Sequence, residues 1–130
     1  MDFLLVPKQT PQEIYQKLRK HLDIHGFTDI QTKLVAELEP SRTPVSASIS
    51  QLAINTAREV YQMKPVIYPT SPGWGPSYLF RNNLGIPTVS IGIGYAGSQN
   101  HASNENIRIK DYNEGIKHIA AIINQFAEMK

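Results

Sequence analysis

The 130-residue chain contains no cysteine. That excludes a disulfide framework, a thiolate nucleophile and any cysteine-based zinc site, so a metal would have to be held by His, Asp or Glu. A chain without cysteine suits a reducing compartment, and a cytoplasmic location is the expectation. Long apolar runs are also missing. No stretch approaches the 18 residues of a membrane span, and Met1 to Pro7 has neither the basic start nor the apolar length of a signal peptide, so no membrane partner is expected. Strong charge of one sign is absent too. Thirteen Lys and Arg against 11 Asp and Glu leave a net charge of +2. Such a balance offers no basic stripe for phosphates and argues against nucleic acid as a partner. Nine prolines and eight glycines within a 41% hydrophobic chain describe a globular sequence, and its length suits one domain.

The charges that exist are unevenly placed. Between Pro65 and Asn104 the only charged residue is Arg81, while the same window holds six of the eight glycines and five of the nine prolines. Buried strands joined by shaped loops produce this pattern, and loops of that kind carry chemistry on many rigid sheets. A structural pair of central strands would produce it equally well.

Local signals divide the chain further. Phe3 to Val6 is a short apolar run suited to a strand. Thr10, Pro11 and Glu13 supply a cap hydroxyl, a proline at the first helical position and an acidic third residue, which open a helix that Gly26 stops. Its apolar face is Ile14, Leu18 and Leu22, and Glu13 can pair with Lys17. Ile30 to Leu38 alternates apolar and polar residues like a half-buried strand. Residues 39–47 read as a linker. Ser48 to Gln51 offers a second capping box for a helix that runs to about Met63 on a face of Ile49, Leu52, Ala53, Ala57 and Val60. Strands are expected at Val66 to Tyr68, Pro87 to Ile93 and Asn106 to Ile109, with a short helix from Ser77 to Asn83 ended by Gly85. Asp111 and Glu114 open a last helix with Ile116, Ile119, Ala120, Ile123 and Ala127 on its buried face. The expected class is α/β.

Gly92-Ile93-Gly94-Tyr95-Ala96-Gly97 matches a dinucleotide fingerprint, but no helical periodicity follows it and the match reads as accidental. His21 and His25 stand four apart near a helix end, where they fit either a shared metal or a charge–dipole role in the last turn. No acidic third ligand stands beside them on the same helix face. His118, in the last helix, is expected to face solvent or the edge of the core. His101 follows the strand Pro87 to Ile93, and open α/β sheets bind ligands beyond the carboxyl ends of their strands. Asn100, Asn104 and Glu105 are placed to orient its ring, as a metal-bound histidine requires. The loop Ser71 to Ser77 carries Gly73, Trp74, Gly75, Pro76 and Ser77. Its glycines allow backbone amides to approach a carboxylate or oxyanion, and an ordinary turn with an exposed tryptophan fits as well.

Three stretches together resemble the C-terminal part of the M20 family of zinc-dependent peptidases and deacylases, which includes acetylornithine deacetylase and succinyl-diaminopimelate desuccinylase. They are Leu5-Val6-Pro7-Lys8-Gln9-Thr10-Pro11, Pro72-Gly73-Trp74-Gly75-Pro76, and Gly85 to Gly94 leading to His101-Ala102-Ser103-Asn104-Glu105-Asn106-Ile107. The resemblance implies part of a catalytic α/β domain over residues 48–130, preceded over residues 1–38 by a β-α-β half of a ferredoxin-like lid that dimerises. It implies two zinc ions in the whole enzyme, His101 as the last metal ligand with Asn104 and Glu105 supporting it, and Gly73 to Ser77 along the substrate pocket. Leu4 departs from the family, where arginine is frequent.

In the family the His-x-Asp motif, the Glu-Glu pair with the general base, and the other metal ligands all lie upstream of the lid, and no such constellation appears in this sequence. The expectation is therefore part of a hydrolase of N-acyl-amino acids or short peptides, inactive and unable to hold zinc tightly by itself. A half lid would leave a sheet edge open and favour self-association or a homodimer. The alternative from another class is a non-enzymatic module that binds a small anion or mediates assembly.

Overall fold

The computed structural model describes residues 1–71, 73 and 75–129. They form two compact units, Met1–Arg42 with Tyr68–Ile86, and Thr43–Ile67 with Pro87 onward.

In the first unit, helix α1 (Pro11–Ile24) begins where the sequence places it. The Thr10 hydroxyl accepts from the Glu13 amide at 3.2 Å, and Pro11 occupies the first helical position. At the other end Gly26 is left-handed, with φ of 81°. Its N–H donates to Asp23 O, and the Phe27 N–H donates to Leu22 O, a paired closure that satisfies two free helix carbonyls. Lys17 and Glu13 pair at 3.9 Å on the exposed side. Ile14, Leu18 and Leu22 form the half-buried face.

Segment 27–37 is fastened to α1 by side chains. The Tyr15 hydroxyl donates to Thr32 O at 2.9 Å, Arg19 donates to the carbonyls of Phe27 and Ile30, and Gln12 donates to the Glu37 carboxylate. Thr32, Leu34 and Leu38 of the expected covered side are partly covered, but Ile30 and Ala36 on the same side are exposed like Gln31, Lys33, Val35 and Glu37, so the period-two pattern survives only in part. The same unit holds a π-helical turn, Leu79–Asn83, which Gly85 ends with φ of 68°.

The second unit is built on helices α2 (Ser48–Tyr61) and α3 (Ile109–Ala127), which pack against each other. Its core holds Leu52, Ala53 and Ala57 of α2 beside the buried polar residues Ser50, Thr56 and His118. The expected capping box at Ser48 is not formed. Ala47 is the cap residue and makes no side-chain bond, while Ser50 and Gln51 instead donate to the carbonyls of Pro44 and Val45. The α2 helix closes at Gln62, left-handed with φ of 51°, before Pro65.

Two expectations are corrected. No strand is present among the described residues, so Phe3–Val6, Ile30–Leu38, Val66–Tyr68, Pro87–Ile93 and Asn106–Ile109 are not strands and the β-α-β lid is not formed. Ile109 already belongs to α3. A strand needs a neighbour to take its backbone groups, and among the described residues the backbone bonds outside the helices stay local, none reaching further than from Asn106 N–H to Ser98 O. The second correction concerns α3. Gly115 and His118 are its buried residues, whereas Ile116, Ile119 and Ile123 of the expected buried face are 52%, 48% and 64% exposed. A helix apolar on both sides is suited to burial between two neighbours, and in this unit α2 supplies one.

Candidate functional site: the His101 loop

The chain leaves the run Pro87–Ile93 and enters a polar loop that ends at α3. Gln99, His101 and Asn104 are left-handed there, with φ of 52°, 59° and 63°. Each such residue other than glycine costs about 1 kcal/mol or more, so three within six positions need compensating contacts.

Those contacts converge on Asn106. Its Oδ1 accepts from the Tyr95 hydroxyl at 2.7 Å, its Nδ2 donates to Asn104 O at 2.9 Å and Gly97 O at 3.3 Å, and its backbone N–H donates to Ser98 O at 3.0 Å. The buried Ser98 hydroxyl accepts from the Tyr95 amide at 2.9 Å. Arg108 lies over the Tyr95 ring, 4.4 Å from its centroid, and its guanidinium donates twice to Asp111 in the first turn of α3, at 2.6 and 3.0 Å. Those hydrogen bonds hold the Arg108 proton above its ordinary affinity.

His101 stands exposed on this loop. Its backbone N–H, not its ring, faces Glu105, at 3.4 Å from Oε2. Asn104 likewise gives its carbonyl to Asn106 rather than its side chain to the imidazole. The structure thus places His101, Asn104 and Glu105 on one short loop, with the ring free of hydrogen bonds among the described residues.

Gly73, Gly75, Pro76 and Ser77 lie in the other unit, and Trp74 falls outside the described residues. The Gly73 N–H donates to the Ser71 hydroxyl at 3.2 Å, so one of the amides offered to an anion is already engaged. Neither Gly73 nor Gly75 is left-handed, and a Cβ at Gly75 would meet open space. Pro76 O accepts from the Leu79 amide at 2.9 Å, opening the helical turn. The His21 and His25 rings lie 4.4 Å apart on the exposed end of α1.

His118 was expected at the surface or core edge and is instead 3% exposed. Its Nε2 is 3.1 Å from both Ala53 O and the Thr56 hydroxyl. A carbonyl only accepts, so Nε2 carries the proton, and Thr56 sends its own to Leu52 O at 2.8 Å. His118 Nδ1 and the Tyr61 hydroxyl are buried without a protein partner, and the two rings meet edge-on at 5.3 Å. Burial, with smaller contributions from Glu114 and Asp111, raises the Tyr61 hydroxyl pKa above its ordinary value of 10.0. Tyr61 lines a groove of about 400 Å³ with Ile93, Arg108, Asp111 and Glu114. Sequence reasoning missed this pair, and no motif in the sequence marks it. Gly115, three residues before His118 on α3, is buried for a different reason, its close approach to Ile93.

The description Peptidase family M20/M25/M40 matches residues 9–125. The chain belongs to this family. Among solved structures, the M20 family metallo-carboxypeptidase Sso-CP2 from Sulfolobus solfataricus is similar, with 38% identity and a TM-score of 0.75. The likeness covers 91% of this chain and 27% of Sso-CP2, so the chain spans about a quarter of the length of that relative. No curated protein matches. Membership supports a metallopeptidase-type role and implies a metal, typically zinc. The M20 chain itself does not fit such an ion. Zinc takes three or four protein ligands, and no three His, Cys, Asp or Glu side chains stand together among the described residues. No helix there is long and apolar enough to cross a membrane.

Proposed function

We propose that this chain is a portion of a zinc-dependent M20 amidohydrolase that cleaves short peptides or N-acyl-amino acids, with His101 as one metal ligand. The observation that carries the reading is the position of His101. An imidazole without a hydrogen-bonded partner is presented on a tightly organised loop within the matched residues 9–125. A metal-bound histidine takes a hydrogen-bond partner on its second ring nitrogen, which in this reading comes from outside the described residues. The remaining ligands and the general base belong to M20 sequence outside these 130 residues, and the chain alone is inactive. Likeness to a metallo-carboxypeptidase supports a peptide substrate, and the three motif stretches extend the class to acylated amino acids such as those of the deacetylase and desuccinylase branch.

The test is reconstitution. The chain is joined to, or mixed with, an M20 N-terminal segment carrying His-x-Asp and Glu-Glu, and zinc content and hydrolysis of N-acetyl-amino acids and dipeptides are measured. Zinc uptake and turnover that need both parts and are lost in His101→Ala support the reading. Tight carboxylate binding by the 130 residues alone, unaffected by chelator and by His101→Ala, would replace it with the anion-binding module.

A further inference from the structure

We propose that Asn106 and Tyr95 are positioning residues for His101, forming a clasp that sets the conformation of the 98–105 loop. The inference deepens the reading of His101 as a functional imidazole and rests on it. A carboxamide has one accepting oxygen and two donor hydrogens, and Asn106 uses all three, on Tyr95, Asn104 and Gly97. An aspartate would keep only the acceptor, an alanine nothing. Tyr95 is held from both sides. Its ring lies against Gly97, where a Cβ would stand 2.6 Å from Cε2, and the Arg108 guanidinium covers it at 4.4 Å. Because Arg108 is bonded twice to Asp111, the clasp is keyed to the first turn of α3. The loop it encloses carries the three left-handed residues, His101 among them, and few other bonds hold it: Ala102 N–H to Gln99 O, His101 N–H to Glu105 Oε2, and the Asn106 backbone N–H to Ser98 O.

The experiment is amide hydrogen exchange and NMR on the intact 130-residue chain and its Asn106→Ala, Asn106→Asp and Tyr95→Phe variants. The three-bond HN–Hα coupling and the 13Cβ shift of His101 report its φ. Expected for Asn106→Ala is exchange at Tyr95 and Ala102 faster by about ten-fold or more, with loss of the left-handed signature at His101 and unchanged protection in α2 and α3. Asn106→Asp, which retains the bond from Tyr95, should fall between Asn106→Ala and the unmodified chain. Unchanged His101 coupling and loop exchange in both Asn106→Ala and Tyr95→Phe overturns the clasp. If Asn106→Ala loosens the helices as well, Tyr95→Phe decides, since it removes a single hydroxyl. Faster loop exchange over protected helices then supports the clasp, and an unchanged loop overturns it. The reading of His101 fails separately, through His101→Ala that leaves zinc uptake intact in the reconstituted protein.

Discussion

His118 of α3 and Thr56 of α2 meet at 3.1 Å inside the second unit, and Thr56 is fully buried. The imidazole joins the two helices through a hydroxyl and the Ala53 carbonyl, a polar link where a core of Leu52, Ala53 and Ala57 supplies little apolar volume. Removing one partner leaves the other in a place water cannot reach. Thr56→Val is expected to cost about 1 kcal/mol and His118→Ala about 2–4 kcal/mol. In a double-mutant cycle followed by urea unfolding the two should couple by about 0.5–1.5 kcal/mol. Strictly additive losses would show that the contact contributes nothing.

Tyr61 predicts an alkaline limit. Its hydroxyl pKa is raised in the folded chain, chiefly by burial and further by Glu114 and Asp111. The folded state therefore holds the proton more tightly than the unfolded state does. The resulting stability is fully present below about pH 10 and is lost as pH rises through the higher folded value. Thermal melts between pH 8 and 11 should show the midpoint of Tyr61→Phe falling less than that of the unmodified chain above pH 10. Parallel curves would exclude Tyr61 as the cause.

At Gly115 helix propensity and packing oppose each other. Alanine is favoured over glycine inside a helix by about 1 kcal/mol. A Cβ there, however, would collide with Cγ2 of Ile93 and stand 3.1 Å from its Cβ. Gly115→Ala should therefore destabilise by about 1–3 kcal/mol in denaturant titrations. Adding Ile93→Ala should recover part of the loss. Stabilisation by Gly115→Ala alone would mean that α3 can move away from Ile93 at little cost.

Ile49, Val89, Ile91, Ile119, Ile122 and Ile123 line an apolar groove of about 300 Å³ in the second unit. Exposed apolar surface of this kind commonly drives association. The chain in isolation is expected to bind a hydrophobic dye and to self-associate with rising concentration, and Ile119→Asp with Ile123→Asp should reduce both. Light scattering from a clean monomer at high concentration would refute association through this face.

Much of this architecture was legible in advance. Thr10, Pro11 and Gly26 marked both ends of α1, Gly85 ended the short helical turn, and the absence of helical periodicity after Gly97 agrees with the turn found there. His101, Asn104 and Glu105 were legible as a loop cluster, but their contacts were not, because Asn106 and Tyr95 stand in the quoted stretches without an assigned role and act only through the folded loop. The strands were misread for a related reason. Alternation survives as partial cover at Thr32, Leu34 and Leu38 but not at Ile30 and Ala36, and it describes which side of a segment faces away from water, not what its backbone bonds to.

The sequence by itself determined the chemistry open to this chain and the helices within it. Without cysteine, any metal must meet imidazole or carboxylate, and three stretches together carry the M20 resemblance that the match over residues 9–125 bears out. Helices obey local rules because their hydrogen bonds and caps close within one segment. Only the tertiary structure decided that α3 turns His118 toward α2 and Gly115 toward Ile93 while its isoleucine stripe stays uncovered, that His118 is a buried link, and that the apolar runs form no strand among the described residues. Those outcomes depend on which other segments are close enough to take up a face or a row of backbone donors, and that is a property of the assembled molecule.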